Sequence, residues 1–255
     1  MTNRSSRSPR RIDFQHSALS QQTFSIDPPS ENSISWKLWL ACQDIADQAL
    51  ASKYIQGIKN GNLHPDRYGQ YTVQDAVYCH NAQTDYQIIK NRKKTDDLPE
   101  LKAFAEARFE GYQKYNKQFL ESWHIDNVKA LAPSSVVNTY IDFERKVAQN
   151  MPPIYGIIAM IPCEELWSWL ATQLKPYATP QNLYSFWIAE NDGWHGTYRL
   201  DNFIDSWFAK HPDVFKWETA LYVMRSCMTC EVNFFLSAFE QPLLPMPLKP
   251  ESTSS

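Results

Sequence analysis

Apolar residues recur at three- and four-residue steps along most of this chain, the period of one face of an α-helix. Over 36–54 they are Leu40, Ala41, Ile45, Ala49 and Leu50, which predicts one helix closing near Gly57. His64-Pro65-Asp66 opens a second helix, with Tyr68, Tyr71, Asp75, Tyr78, Ala82, Tyr86 and Ile89 on one face. A third spans 99–123, where Phe104, Phe109, Tyr112 and Phe119 read most simply as core. Pro133-Ser134-Ser135 starts a fourth, which turns Val137, Tyr140, Ile141, Glu144 and Val147 to one side. A helical run around Cys163 ends near Pro176, and 183–189, 193–210 and 215–239 predict three more helices. No hairpin signal interrupts the series, so the expected fold class is all-α, a multi-helix bundle.

The pattern also divides the chain. Residues 1–33 carry Arg, Ser and the pair Pro28-Pro29 with almost no repeating apolar pattern, and read as a disordered arm. Its Arg and Ser content resembles a transit peptide, but Asp13, Asp27 and Glu31 argue for a plain flexible arm. Residues 34–241 form the helical domain, and 242–255 read as a C-terminal tail. The basic run 90–94 with Asp96 and Asp97 reads as a solvated loop.

Composition narrows the function classes. Seven glycines in 255 residues leave no Gly-rich phosphate cradle, and a formal charge of −3 with scattered basic residues gives no footprint for nucleic acid. The longest apolar run, near 154–162, falls well below the roughly 20 residues that span a bilayer, so no membrane partner is expected. Five cysteines, an odd number, with no signal-peptide pattern point to free thiols and a cytoplasmic location.

Candidate chemistry converges on Cys163. Pro162 must either kink a helix or open a new one beside it. A new helix would favour the thiolate through its exposed N–H groups, whereas Glu164 and Glu165 would oppose it. A buried cysteine without context is an inert core residue. Here Asp75 on an aromatic face, Tyr140, and Glu231 within the apolar stripe Leu221, Met224, Met228 and Phe235 are polar groups that a structural core would avoid. Cys227 and Cys230 make a Cys-x-x-Cys with no second pair for zinc and no thioredoxin-like strand. His80 and His195 belong to no metal-ligand pattern.

Several segments, in order and spacing, carry a resemblance: Tyr54-Ile55-Gln56-Gly57-Ile58 with Gly61-Asn62-Leu63, Tyr71-Thr72-Val73-Gln74-Asp75, Ala159-Met160-Ile161-Pro162-Cys163, Phe186-Trp187-Ile188, and Cys230-Glu231-Val232-Asn233-Phe234-Phe235. The chain resembles the TenA/Thi-4 family, thiaminase II or aminopyrimidine aminohydrolase, over roughly 36–240. The resemblance implies a heme-oxygenase-like bundle and a cysteine-dependent hydrolase of aminopyrimidines or thiamin in thiamin salvage, with no cofactor and no metal. It implies Cys163 as nucleophile, Glu231 as proton-transfer acid, and Asp75 as the acid holding the aminopyrimidine edge. Tyr78 and Tyr140 correspond to pocket residues. Trp167 and Asn191 stand where the family commonly has tyrosines. A small-molecule ligand and a homodimer or homotetramer are the expected partners. The alternatives are an oxidase on the same fold, metal-dependent or cofactorless as in pyrroloquinoline quinone synthesis, and a non-catalytic binder.

Overall fold

The structure, a computed structural model, describes residues 27–250. The expected arm therefore lies outside the described residues except for 27–33. Twelve α-helices and no strand occur among the described residues. They are α1 (Ile34–Leu40), α2 (Gln43–Ala51), α3 (Lys53–Lys59), α4 (Pro65–Asn91), α5 (Lys93–Asp96), α6 (Pro99–Ser122), α7 (Ser135–Asn150), α8 (Pro153–Ala159), α9 (Ile161–Leu174), α10 (Ser185–Asn191), α11 (His195–Lys210) and α12 (Trp217–Ser237).

The single helix expected over 36–54 is three. Ser33 Oγ accepts from the Trp36 N–H to start α1; the chain breaks at Cys42 without a side-chain cap, and again at Ser52, whose Oγ accepts from the Ile55 N–H to start α3. Ser52 is buried and adopts extended φ/ψ, so the chain turns there although the apolar spacing continues. After α3, Gly61 takes the left-handed φ of +69°. The Asn182 amide then donates to the Ile58 and Lys59 carbonyl oxygens, both at 3.0 Å, closing the helix end.

The basic run at 90–94 is a built junction rather than a solvated loop. Lys90 pairs with Glu106 at 2.8 Å and lies over the Phe109 ring. Arg92 donates to the Ala148 and Met151 carbonyl oxygens, and the buried Thr95 hydroxyl to that of Ile89. Part of the expected C-terminal tail is likewise held. Asn233 of α12 grips Leu244 at both backbone polar groups, at 3.0 and 2.7 Å, and Met246 lies against Cys230.

Helix α4 packs along α6 and α7, while α12 packs against α7, α2, α9 and α8. These two long helices form the spine that the others close over. Pro162 resolves the choice posed by the sequence. It occupies the first turn of α9, where its missing N–H costs nothing, and Met160 is the junction from α8.

Between α9 and α11 the core buries two carboxyls, Glu165 and Asp201, and neither Asp201 oxygen has a hydrogen-bond partner. Burial, then the Asp201 carboxyl, push Glu165 well above the usual carboxylate range; burial, then Asp205, do the same to Asp201. With folded values raised, their contribution to stability is complete below about pH 4 and is lost as pH rises through the folded values. Asp201→Asn removes that loss. Its melting temperature should exceed the parent's by about 2–4 °C per kcal/mol regained at pH 8, and the gap should close towards pH 4 in a thermal-melt series.

Candidate active site

One cavity, about 810 Å³ of open space with its mouth included, lies between α4, α6, α9, α10 and α12. Helix α4 supplies Tyr71, Asp75, Tyr78 and Cys79, three- and four-residue steps placing them on one face. From α9 come Cys163, Glu164 and Trp167, from α10 Trp187, Glu190 and Asn191, and from α12 Glu231. Of the seven residues singled out from the sequence, six line this cavity: Asp75, Tyr78, Cys163, Trp167, Asn191 and Glu231. Asp75 is half-buried rather than buried, as fits a carboxylate open to a cavity.

Tyr140 does not line the cavity. It lies behind Glu231, where its hydroxyl donates to Glu231 Oε1 at 3.3 Å and its ring stacks on Tyr78 at 4.5 Å between centroids. Helix α7 approaches the site only through α4 and α12, so an inward tyrosine on it reaches the acid and not the open space. The Tyr78 hydroxyl lies 3.0 Å from Glu144 Oε1 and 3.2 Å from the Tyr140 hydroxyl.

Cys163 is 4% exposed and lies in the first turn of α9, where backbone N–H groups lack helical acceptors. The Tyr112 hydroxyl lies 3.2 Å from its Sγ. Burial, then the nearby Cys163 sulfur, hold the Tyr112 phenol well above its ordinary range, so it stays protonated and able to donate to a thiolate. Sequence periodicity had assigned Tyr112 to the core; nothing in the spacing separates it from Phe104 or Phe119. A second thiol, Cys79, was also missed, with its Sγ 3.8 Å from Asp75 Oδ1.

Glu164, expected to oppose the thiolate, is ion-paired. Its carboxylate turns to Arg108 of α6, and both side chains are buried. The guanidinium lies 5.7 Å from the ring centroids of both Tyr86 and Tyr112, so aromatic faces replace part of its lost hydration. Gly196 leaves room for this carboxylate, since a Cβ there would stand 2.5 Å from Glu164 Oε2.

Trp167 forms an aromatic wall with Trp187 at 5.4 Å and Phe235 at 5.8 Å, and its indole N–H points to Glu231 Oε2 at 3.5 Å. The Asn191 amide donates to the Trp187 carbonyl oxygen at 2.8 Å. Cys227 and Cys230 lie in the interior of α12, both thiols pushed far up by burial and then by Glu144. Among the described residues no group of three or more His, Cys, Asp or Glu side chains is placed to hold a metal ion. No helix among them is long and apolar enough to cross a membrane.

Comparison with solved structures bears on the architecture. A TenA homologue from Pyrococcus furiosus superposes with a TM-score of 0.67 at 17% identity, over 81% of this chain and 100% of that one. The chain has the TenA fold. A TenA homologue from Pyrococcus horikoshii OT3 shares this heme-oxygenase-like bundle with a TM-score of 0.63 at 20% identity, over 82% of this chain and 99% of that one. A candidate TenA-like thiaminase from Sulfolobus solfataricus P2 shares the TenA fold at a TM-score of 0.60 and 14% identity, over 82% and 98% of the two chains. No family model matches the sequence. Over 159 residues it is 24% identical to the thiamine biosynthesis multifunctional protein ThiED of Corynebacterium efficiens, which covers 61% of this chain. The match spans about a fifth of that larger protein, 21% of its length.

Proposed function

We propose that this protein is a cysteine-dependent hydrolase of an aminopyrimidine or of thiamin. The observation that carries the reading is the meeting of Cys163, its sulfur 3.2 Å from a phenol donor, with Asp75 and Glu231 on the wall of one cavity. The lining supports a flat ligand with a donor-rich, cationic edge: Asp75, Glu190 and Glu231 supply acceptors, and the Trp167 and Trp187 rings supply a stacking face. The names TenA-like thiaminase and thiamine biosynthesis protein among the similar proteins point the same way.

In this reading Asp75 holds the protonated edge of the ring and makes it electron-poor. The Cys163 thiolate adds to a ring carbon, forming a C–S bond. The displaced electron pair expels the amine, or the thiazole of thiamin, from the exocyclic methylene, and Glu231 protonates the amine as the C–N bond breaks. Water adds to the methylene and gives its proton to the Glu231 carboxylate, and the ring releases sulfur as thiolate. The balance is one aminomethylpyrimidine and one water to one hydroxymethylpyrimidine and one ammonia. Trp167 replaces a hydroxyl donor with an indole N–H aimed at Glu231, which retains one donor to that acid while enlarging the stacking wall.

The test is direct. Purified protein incubated with 4-amino-5-aminomethyl-2-methylpyrimidine is expected to release ammonia, or with thiamin to release the thiazole. Recovery of both compounds unchanged at saturating protein overturns the hydrolase reading.

A further inference from the structure

Behind the cavity floor, four oxygens stand in a row. Tyr140 Oη lies 3.3 Å from Glu231 Oε1 and 3.2 Å from Tyr78 Oη, which lies 3.0 Å from Glu144 Oε1. Three contacts of hydrogen-bond length need three protons, and the two phenols supply only two. If Tyr140 donates to Glu231, the Tyr78 hydroxyl has one proton to divide between Tyr140 and Glu144. A third proton on one of the two carboxyls gives every contact a donor of its own.

The surroundings select which one. Glu231 receives Tyr140 at one oxygen and the Trp167 indole N–H at the other, both of which favour its ionised form. Glu144 is fully enclosed, and its second oxygen, Oε2, has no hydrogen-bond partner. Two carboxyls face it: Asp85 of α4, which is itself paired with Arg145, and Glu231 of α12. The remaining titratable neighbours are Tyr86 of α4 and the thiols of Cys227 and Cys230, all held up by burial and none a cation at neutral pH. Burial first, then Asp85, push the Glu144 carboxyl well above its ordinary range, and the hydrogen bonds from Tyr78 and Tyr140 offset only part of that rise.

We propose that Glu144 is a protonated positioning residue for Glu231, donating to Tyr78, which donates to Tyr140, which donates to Glu231. A concerted shift breaks the O–H bond of Glu144 and passes a proton to Tyr78, that of Tyr78 to Tyr140, and that of Tyr140 to Glu231. It leaves Glu144 as carboxylate and Glu231 as the acid that the leaving amine needs. No proton is gained or lost, and no group has to enter the cavity while a ligand fills it. The role in turnover rests on the hydrolase reading; the protonation of Glu144 does not.

Two readouts separate them. In the infrared difference between the full-length protein and Glu144→Gln in D2O at pH 7, a neutral-carboxyl C=O band is expected in the parent. A difference made only of carboxylate bands overturns the proposal whatever the activity. In kinetics with the aminomethylpyrimidine, Gln keeps the size and an N–H donor but has no proton to pass. The alkaline limb of kcat is expected to move down by about one pH unit, because the pair no longer shares a proton, with KM changed less than about twofold. Tyr140→Phe, which cuts the row while leaving Glu144 in place, is expected to move the same limb and serves if Glu144→Gln folds poorly. An evenly lowered kcat with an unmoved limb in these variants overturns the relay. Absence of hydrolysis in the parent overturns the hydrolase reading instead, and the infrared band still decides the state of Glu144.

Discussion

Cys163→Ser should lower kcat for aminomethylpyrimidine or thiamin hydrolysis by about a thousandfold or more while KM changes little. A serine hydroxyl at neutral pH is a far weaker nucleophile than a thiolate, and no histidine lines the cavity to activate it as in a triad. The rival is Cys79, the other thiol on the wall. Three features favour Cys163. It sits in the first turn of α9, where N–H groups stabilise negative charge, whereas Cys79 lies in the interior of α4. It has the Tyr112 hydroxyl at 3.2 Å, whereas Cys79 has the Asp75 carboxylate at 3.8 Å, which disfavours a second negative charge. The carboxylate next to it in the chain, Glu164, is taken up by Arg108. Steady-state assays of Cys163→Ser, Cys79→Ser and Cys230→Ala decide the point. Cys230→Ala should behave as the parent, because that thiol packs against Met246 away from the cavity. Loss of turnover in Cys79→Ser with Cys163→Ser still active would move the nucleophile to α4.

The same residues show what the sequence could and could not disclose. Helical period placed Asp75 and Tyr78 on one face of α4, and an apolar stripe interrupted by Glu231 marked a buried acid, because both signals are local to one helix. The fold class followed for the same reason. What escaped depends on pairing between helices. Arg108 falls four residues after Phe104 and four before Tyr112, on the buried face of α6, but no spacing within that helix says that α9 brings Glu164 to meet it. That pairing sets a cation against the negative charge of Glu164 beside Cys163. Tyr112 and Phe119 belong to the same aromatic series, and only the arrival of Cys163 separates a site phenol from a packing ring. Tyr140 is inward as expected, but the direction of α7 aims it at the back of Glu231. The break at Ser52 was missed because a serine inside an apolar period reads as a tolerated interruption, whereas its hydroxyl caps a new helix.

Arg108→Met should be the most destabilising single change near the site. The side chain is close in length and still fills the space between the Tyr86 and Tyr112 rings, but Glu164, only 5% exposed, is left without its cation. Removing one partner of a buried pair typically costs about 3–5 kcal/mol, since the remaining charge has neither water nor counter-charge. In a domain of this size that is a fall of roughly 10 °C in melting temperature. The pH dependence identifies the cause. Without Arg108 the Glu164 carboxyl must have a raised folded value, so the deficit should be smallest below about pH 4 and should grow as pH rises through that value. A second change that removes the orphaned charge, Glu164→Gln in the Arg108→Met background, should recover most of the loss. That pair of variants forms a double-mutant cycle with a coupling of the same order as the single loss. Thermal melts of the four proteins at pH 5 and pH 8 measure it. A deficit in Arg108→Met that Glu164→Gln does not relieve, and that is equal at both pH values, would assign the loss to packing of the arginine stem and leave the ion pair without the role given to it here: holding Glu164 away from the sulfur one residue before it.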